Sequence, residues 1–328
     1  MPSRFEGPYD AAVPVRSSPV LGSLTVVLAA ALFATLGVLS RTTFDQGLSP
    51  LGFVVWRSGI AALAMLSLVA ISVRRGQPVV GWRSLSPRHR LSLGVAALAG
   101  ATLDVTMFFA YARVSVAVVL LCFYLFPAMV AGASALLGWE PLDRRRGLAL
   151  GIALAGMVAV VVGGPVGVGS AGIDPVGVAL AIGSAVSQTV FVLVSRSGYR
   201  EVPTEQAMSV VLVTSSGMAL VLALAGGAAA SVTLPLSSPG LFGLVAFAGL
   251  FGAGVPSFLF LAGIRWIGGV RAGMLMLAQA PIGVALAAVF LGEGIGPVQV
   301  AGGAAILVAA ILIQRAPTAI RGAEEALV

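Results

Sequence analysis

Ten apolar runs, most of them about as long as a bilayer core is thick, constrain this chain more than any motif in it. They lie near 19–40, 51–73, 91–112, 116–137, 147–164, 176–194, 207–226, 241–263, 273–291 and 298–313. At 1.5 Å per residue, a helix needs about 20 such residues to cross the hydrocarbon layer. The runs show no period-two alternation, which argues against barrel strands. Lipid offers the backbone no hydrogen bonds, so each segment must satisfy its own, as a helix does. The expected fold class is all-α integral membrane, with ten transmembrane helices. Composition agrees: hydrophobic residues make up 59% of the 328 and charged residues 9%, against roughly 25% charged in a soluble domain. Mean hydropathy is +1.05.

All 19 basic residues are arginine, and the formal net charge is +7. They sit in short segments between the apolar runs. With the N-terminus inside, one side collects Arg4, Arg16, Arg74, Arg75, Arg83, Arg88, Arg90, Arg144, Arg145, Arg146, Arg196, Arg200, Arg265, Arg271, Arg315 and Arg321. The other side has only Arg41 and Arg113, and Arg57 falls inside a run. By the positive-inside rule both termini are expected in the cytoplasm. The high basic charge is thereby accounted for without nucleic acid as a partner, since no basic stripe alternates with aromatic residues. Residues 1–18 read as a disordered cytoplasmic tail, 165–175 as an external loop and 316–328 as a cytoplasmic C-terminal tail. The first run is too long and starts too late for a signal peptide, and is expected to be retained.

The chain matches itself weakly at an offset of about 151–155 residues. Ser40-Arg41 closes the first run and Ser195-Arg196 the sixth. Pro127 precedes Glu140 much as Pro281 precedes Glu293. Gly147, Gly151 and Gly156 in the fifth run answer to Gly302 and Gly303 in the tenth. Each half holds five runs, an odd number, so the second must be inserted inverted relative to the first. Inverted repeats of this kind are characteristic of secondary transporters, whose substrate site lies near the midplane.

The stretches Tyr124-Leu-Phe-Pro-Ala-Met-Val…Leu137-Gly-Trp-Glu140 and Gly252-Ala-Gly-Val-Pro…Ala280-Pro281…Leu291-Gly-Glu293…Gly302-Gly303 resemble the EamA-type repeats of the drug/metabolite transporter superfamily. The resemblance spans roughly residues 20–315. It implies two inverted five-helix repeats, 19–164 and 176–315, that move small metabolites such as amino acids across the bacterial inner membrane. Such families also place an arginine in the second span, matched here by Trp56-Arg57. Many relatives carry Glu directly before the ninth-span proline. This chain has Ala280 there and Gln279 beside it, and so no carboxylate for coupling at that point.

Charge inside a span is costly and marks function by default, which singles out Arg57 and Asp104. They lie about 6 and 8 residues from the outer ends of their spans, roughly 9 and 12 Å deep. Similar depth on sequential helices lets them pair, either as a structural ion pair or as a polar patch for a zwitterion's carboxylate and amine. Asp104, Phe108 and Tyr111 share a helix face at i, i+4 and i+7, a stripe that suits an amine through cation–π contact or simple helix packing. The corresponding stretch of the second half holds Val255-Pro256 and no acid. Tyr124, Gln188 and Gln279 are further substrate-contact candidates, alongside Ser184, Ser187 and Ser257, with helix–helix hydrogen bonding as their alternative use. Trp56 suits an interfacial anchor or a cavity wall. Pro127, Pro256 and Pro281 each remove a helix hydrogen bond and are candidate kinks or gating points. Asp104 is the one carboxylate well inside a span, and so the candidate proton carrier. Ala128 with Gly132 and Gly183 with Ser187 are small-residue pairs suited to close helix contact. Glu140 and Glu293 fit water-facing span ends.

Gly167-Val-Gly-Ser-Ala-Gly172 satisfies GxGxxG but lacks the strand–turn–helix setting a dinucleotide site needs. One histidine, His89, and one cysteine, Cys122, leave no metal site, disulfide or nucleophilic cluster, so no cofactor is expected. A transporter of small metabolites, driven by a proton gradient or exchange, is the favoured reading. A lipid flippase or scramblase, or a membrane enzyme, is the alternative. The expected partners are a small-molecule substrate and the lipid bilayer; no feature specifies whether the chain forms a homo-oligomer.

Overall fold

The computed structural model describes residues 19–77, 79–114, 116–139, 143–162, 174–291 and 295–314. Both tails, most of the 165–175 loop with its GxGxxG match, Glu140 and Glu293 lie outside the described residues. Among the described residues the regular structure is helical. The long helices are α1 (Pro19–Asp45), α2 (Pro50–Arg74), α3 (Pro87–Tyr111), α6 (Arg144–Val162), α7 (Pro175–Ser197), α8 (Thr204–Ala225) and α14 (Pro297–Gln314). The fourth apolar run is split into α4 (Val116–Phe123) and α5 (Phe126–Leu136), and the ninth into α12 (Gly269–Met276) and α13 (Gln279–Leu291). The eighth is α10 (Pro239–Gly249), a π turn (Leu250–Gly254) and α11 (Val255–Ile267). Seven helical stretches are long and apolar enough to cross a membrane, counting Pro239–Ile267 and Gly269–Phe290 as one each. The shorter apolar helices are Phe126–Leu136, Gly147–Val160 and Pro297–Ala309.

Local sequence explains where several helices start. Ser49-Pro50, Ser86-Pro87, Asp174-Pro175 and Ser238-Pro239 each place a capping side chain before a proline, whose fixed φ suits the first turn. The caps accept from the backbone N–H of Gly52, His89, Val176 and Leu241. This is why α3 begins at Pro87 and takes in Arg88, His89 and Arg90, which hydropathy alone leaves in a loop. Likewise α1 runs on to Asp45, so Arg41 is helical. Arg271 is helical too, and buried at 8% exposure in α12 rather than set in a loop.

The breaks follow the prolines. Pro127 has no N–H to offer the carbonyl of Phe123, and the helix is interrupted at Tyr124-Leu125. Pro281 stands in the same relation to Leu277, and the interruption falls at Leu277-Ala278. At Pro256 the chain widens instead: the Val255 N–H donates to Leu250 O, five residues back. One extra residue in the turn relieves the clash a proline ring makes with the carbonyl four residues earlier.

Helices α6 and α14 pack together, as do α2 and α8, α3 and α7, and α1 and α11. Further contacts join α3 to α8, α1 to α12 and α13, α2 to α10 and the π turn, and α7 to α4 and α5. Two of these meetings depend on glycine. A Cβ on Gly156 would stand 2.7 Å from Gly302 O, and one on Gly302 would stand 2.5 Å from Gly156 O. A Cβ on Gly263 would lie 2.2 Å from Val26 Cγ2. Of the small-residue pairs expected to mediate close contact, Gly132 and Gly183 have nothing within 4 Å of a built Cβ, while Ala128 packs against the core. Four-residue spacing places small residues on one face, but does not dictate that a neighbour meets that face.

A short helix absent from the sequence reading, α9 (Ala229–Ser237), lies between α8 and α10 and packs on α2, α8 and α10. Ser231 Oγ accepts from the Ser49 N–H at 2.7 Å and bonds Ser49 Oγ at 2.8 Å, and Trp56 Nε1 donates to Val232 O at 2.7 Å. Trp56 also meets the Phe242 ring edge-on, so it is a packed strut between α2 and the α9–α10 segment. At the same end Arg113 and Asp174 form an ion pair at 3.0 Å. The Arg113 hydrogen bond, with the Val176 N–H, holds the Asp174 carboxyl below its ordinary value. A carboxyl lowered in the folded chain contributes stability above its ordinary range and loses it as pH falls through the lowered value. D174N should therefore flatten the acid-side fall in stability, measured by melting curves between about pH 2 and 5.

Candidate functional site

Arg57 on α2 is 4% exposed, and its Nη2 donates to Asp104 Oδ1 on α3 at 2.5 Å; Asp104 is 17% exposed. Ser58 Oγ donates to Asp104 Oδ2 at 3.2 Å. The guanidinium carbon stands 5.2 Å from the centre of the Phe108 ring, one turn along α3 from Asp104. Phe53 meets Phe108 edge-on at 5.1 Å, and Tyr111 lies beyond it at 5.8 Å. The acid, the arginine and the aromatic stripe thus form one cluster, as equal depth on sequential helices leads one to expect. Charge is balanced within it, which is what makes two ionised groups tolerable away from water. Arg57 Nε is buried and has no hydrogen-bond partner among the described residues.

The back of the cluster is formed by the eighth helical stretch. A Cβ on Gly249 would lie 2.7 Å from Ile60 Cβ and 3.0 Å from the Arg57 carbonyl oxygen, and Gly254 faces Ala61. Gly249 and the π turn after it therefore abut the backbone that carries Arg57. Hydropathy could not reveal this contact; the signal present is the glycine spacing of Gly249, Gly252 and Gly254 ahead of a proline.

The other candidates lie elsewhere in the bundle. Tyr124 is at the α4–α5 break, 1% exposed, its hydroxyl unpartnered among the described residues. Its ring meets Phe123 edge-on at 5.4 Å and lies tilted at 6.5 Å from Phe126. Gln188 is 6% exposed on α7. Gln279 is half-buried at the start of α13. Pro127 lies on the side of Gly273 that a Cβ would occupy, and Pro281 on that of Gly303. Pro256 is buried. Among the described residues no group of three His, Cys, Asp or Glu stands close enough to hold a metal ion.

A second polar cluster, at the opposite end of the bundle from α9, was not anticipated. Arg265 Nη1 donates to Val202 O at 2.9 Å and Thr204 Oγ1 at 3.1 Å, and Nη2 to Tyr199 O at 3.4 Å. The guanidinium also lies over the Tyr199 ring. Burial pushes the Tyr199 hydroxyl up to about 12, against the opposing effects of its Ser195 hydrogen bond and of Arg265. Close by, His89 pairs with Glu201, Ser72 Oγ bonds Glu205, and Gln206 bonds both the N–H and the carbonyl of Val80. These contacts gather the ends of α2, α3, α7, α8 and α11 on one face, together with most of the arginines between them.

Long apolar helices packed around a buried, balanced charge pair define a multi-pass integral membrane protein. The model of the EamA-like transporter family matches residues 20–162 and again 175–315, and the chain belongs to that family. It is a membrane transporter rather than an enzyme, with a family domain in each half. A chain in a solved structure described as "Crystal structure of protein" is similar in fold. Its TM-score is 0.72 over 90% of this chain and 96% of its own, at 21% identity. No curated protein matches the sequence.

Proposed function

We propose that this protein is a secondary active transporter of small zwitterionic metabolites, amino acids or their relatives. It works by alternating access between two inverted five-helix repeats, 19–164 and 176–315, in the bacterial inner membrane with both termini cytoplasmic. The packing pattern supports the repeat. With α4–α5, α10–π turn–α11 and α12–α13 each counted as one span, there are ten spans. Exchanging every span with the one five places on leaves the α6–α14 and α2–α8 pairs in place. The same exchange turns α3–α7 into α11–α1, and α4, α5–α7 into α12, α13–α1. The two broken spans also correspond, each interrupted just before its proline. The clustering of arginines at one end supports the orientation.

The observation that carries the substrate reading is the Arg57–Asp104 pair, with one guanidinium nitrogen unpartnered and an aromatic face beside it. A substrate carboxylate could take the place of Asp104 on Arg57, and the released aspartate could meet the substrate's amine or a proton. Tyr124, Gln188 and Gln279 would line the route inward, and the breaks at Pro127, Pro256 and Pro281 would flex as the repeats rock. Flux of labelled amino acids and small metabolites into proteoliposomes, with and without a pH gradient, tests this. Gradient-dependent accumulation of one zwitterion class is expected, and D104N should abolish the gradient dependence. No flux of any member by correctly inserted protein would overturn the proposal.

A further inference from the structure

We propose that the segment joining α2 to α3 is a docking shelf for the headgroups of anionic phospholipids. From Arg74 to Arg90 the chain carries five arginines and a histidine but no acid. Arg90 is committed to the structure, donating to Leu85 O at 2.9 Å and Arg83 O at 2.8 Å, and His89 is paired with Glu201. Arg74, Arg75, Arg83 and Arg88 project from the surface. The shelf is held in shape beneath them. Leu85 is buried at 2% exposure, Val80 is clasped at both its N–H and its carbonyl by Gln206, and Ser86 caps α3.

Two features select a lipid over a soluble anion. The shelf begins where α2 leaves the apolar layer and ends where α3 re-enters it, which sets its arginines at headgroup depth. Trp82 and Val79 are exposed on the same segment, at 52% and 47%. An amphipathic ring at the boundary between hydrocarbon and water belongs against lipid. Arginines near an anionic surface each contribute about fivefold in affinity, and four of them on a formed shelf would favour anionic over zwitterionic lipid strongly. This proposal is independent of which solute is carried.

The test uses the full chain purified in detergent, with phosphatidylglycerol or phosphatidylcholine of matched acyl chains added. Lipid retention by native mass spectrometry and the unfolding midpoint are followed. Phosphatidylglycerol should be retained preferentially. R74Q/R75Q/R83Q/R88Q should lose about a hundredfold or more of that preference, with its melting in phosphatidylcholine unchanged. W82A should weaken retention of both lipids. If the fourfold variant does not fold, R83Q/R88Q alone should still lose about 25-fold. Wild-type preference in the arginine variants would overturn the proposal. So would inorganic phosphate reproducing the shift, because a soluble anion would then suffice.

Discussion

Replacing Asp104 alone with leucine is expected to destabilise the bundle by about 3–5 kcal/mol, whereas R57L/D104L should recover most of the loss. Arg57 is 4% exposed, and its nearest acid is the one removed. The single variant strands a guanidinium between α2 and α3, with Ser58 and the Phe108 ring as its remaining company. The double variant removes both charges and leaves an apolar contact. A double-mutant cycle of unfolding in detergent measures the coupling. A cost below about 1 kcal/mol for D104L would mean that water already reaches the guanidinium. The same pair of variants separates structure from transport: R57L/D104L should fold but carry nothing if the pair handles substrate, and should retain flux if the pair only holds two helices together.

The second large effect is expected where α6 meets α14. A valine at position 302 would put Cβ 2.5 Å from Gly156 O and 2.8 Å from the Val160 nitrogen. Both are backbone atoms in a helix and cannot swing aside as a long side chain can. Overpacking a close contact costs about 1–3 kcal/mol when neighbours can adjust, and here the whole helix must move. G302V and G156V should therefore lower the unfolding midpoint sharply. G151A is the matched control, with nothing within 4 Å of its new methyl group, and should be close to neutral.

Much of the fold was legible because a bilayer reads length and polarity, and both are written directly in the residues. Seven of the helical stretches are long and apolar enough to cross a membrane and the others are shorter apolar helices, and the prolines at 127 and 281 coincide with the two breaks. The Arg57–Asp104 pairing was legible for the same reason, since depth along a helix is a count of residues. What faces what was not. Gly132 and Gly183 looked like contact points but have nothing within 4 Å of a built Cβ, whereas Gly156 and Gly302, which the sequence marked only as matching positions of the two halves, carry the tightest backbone approach. Helix α9 was missed because Ala229–Ser237 is too short and mixed to show as a span. The Arg265 cluster was missed because two of its partners are backbone carbonyls, which leave no trace in side-chain identity, and the others, Thr204 and the Tyr199 ring, lie more than 60 residues away in the chain. Tyr124, Gln188 and Gln279 were chosen by polarity alone, and polarity does not say which way a helix is turned.

The π turn before Pro256 has a bearing on insertion and deletion. An α-helix advances about 100° per residue, and the π turn absorbs one additional residue in Leu250–Gly254, so everything after it sits about 100° back from where a residue count would put it. Helix α10 presents one meridian to α2, and α11, by virtue of that offset, presents another to α1, with Gly263 against Val26. Deleting one residue from the turn should restore regular winding and leave Gly263 against Val26, whereas closing the turn without losing a residue would swing Gly263 away by about 100°. The turn thus holds a surplus residue while keeping the half of the span that backs Arg57 in phase with the half that packs on the first helix.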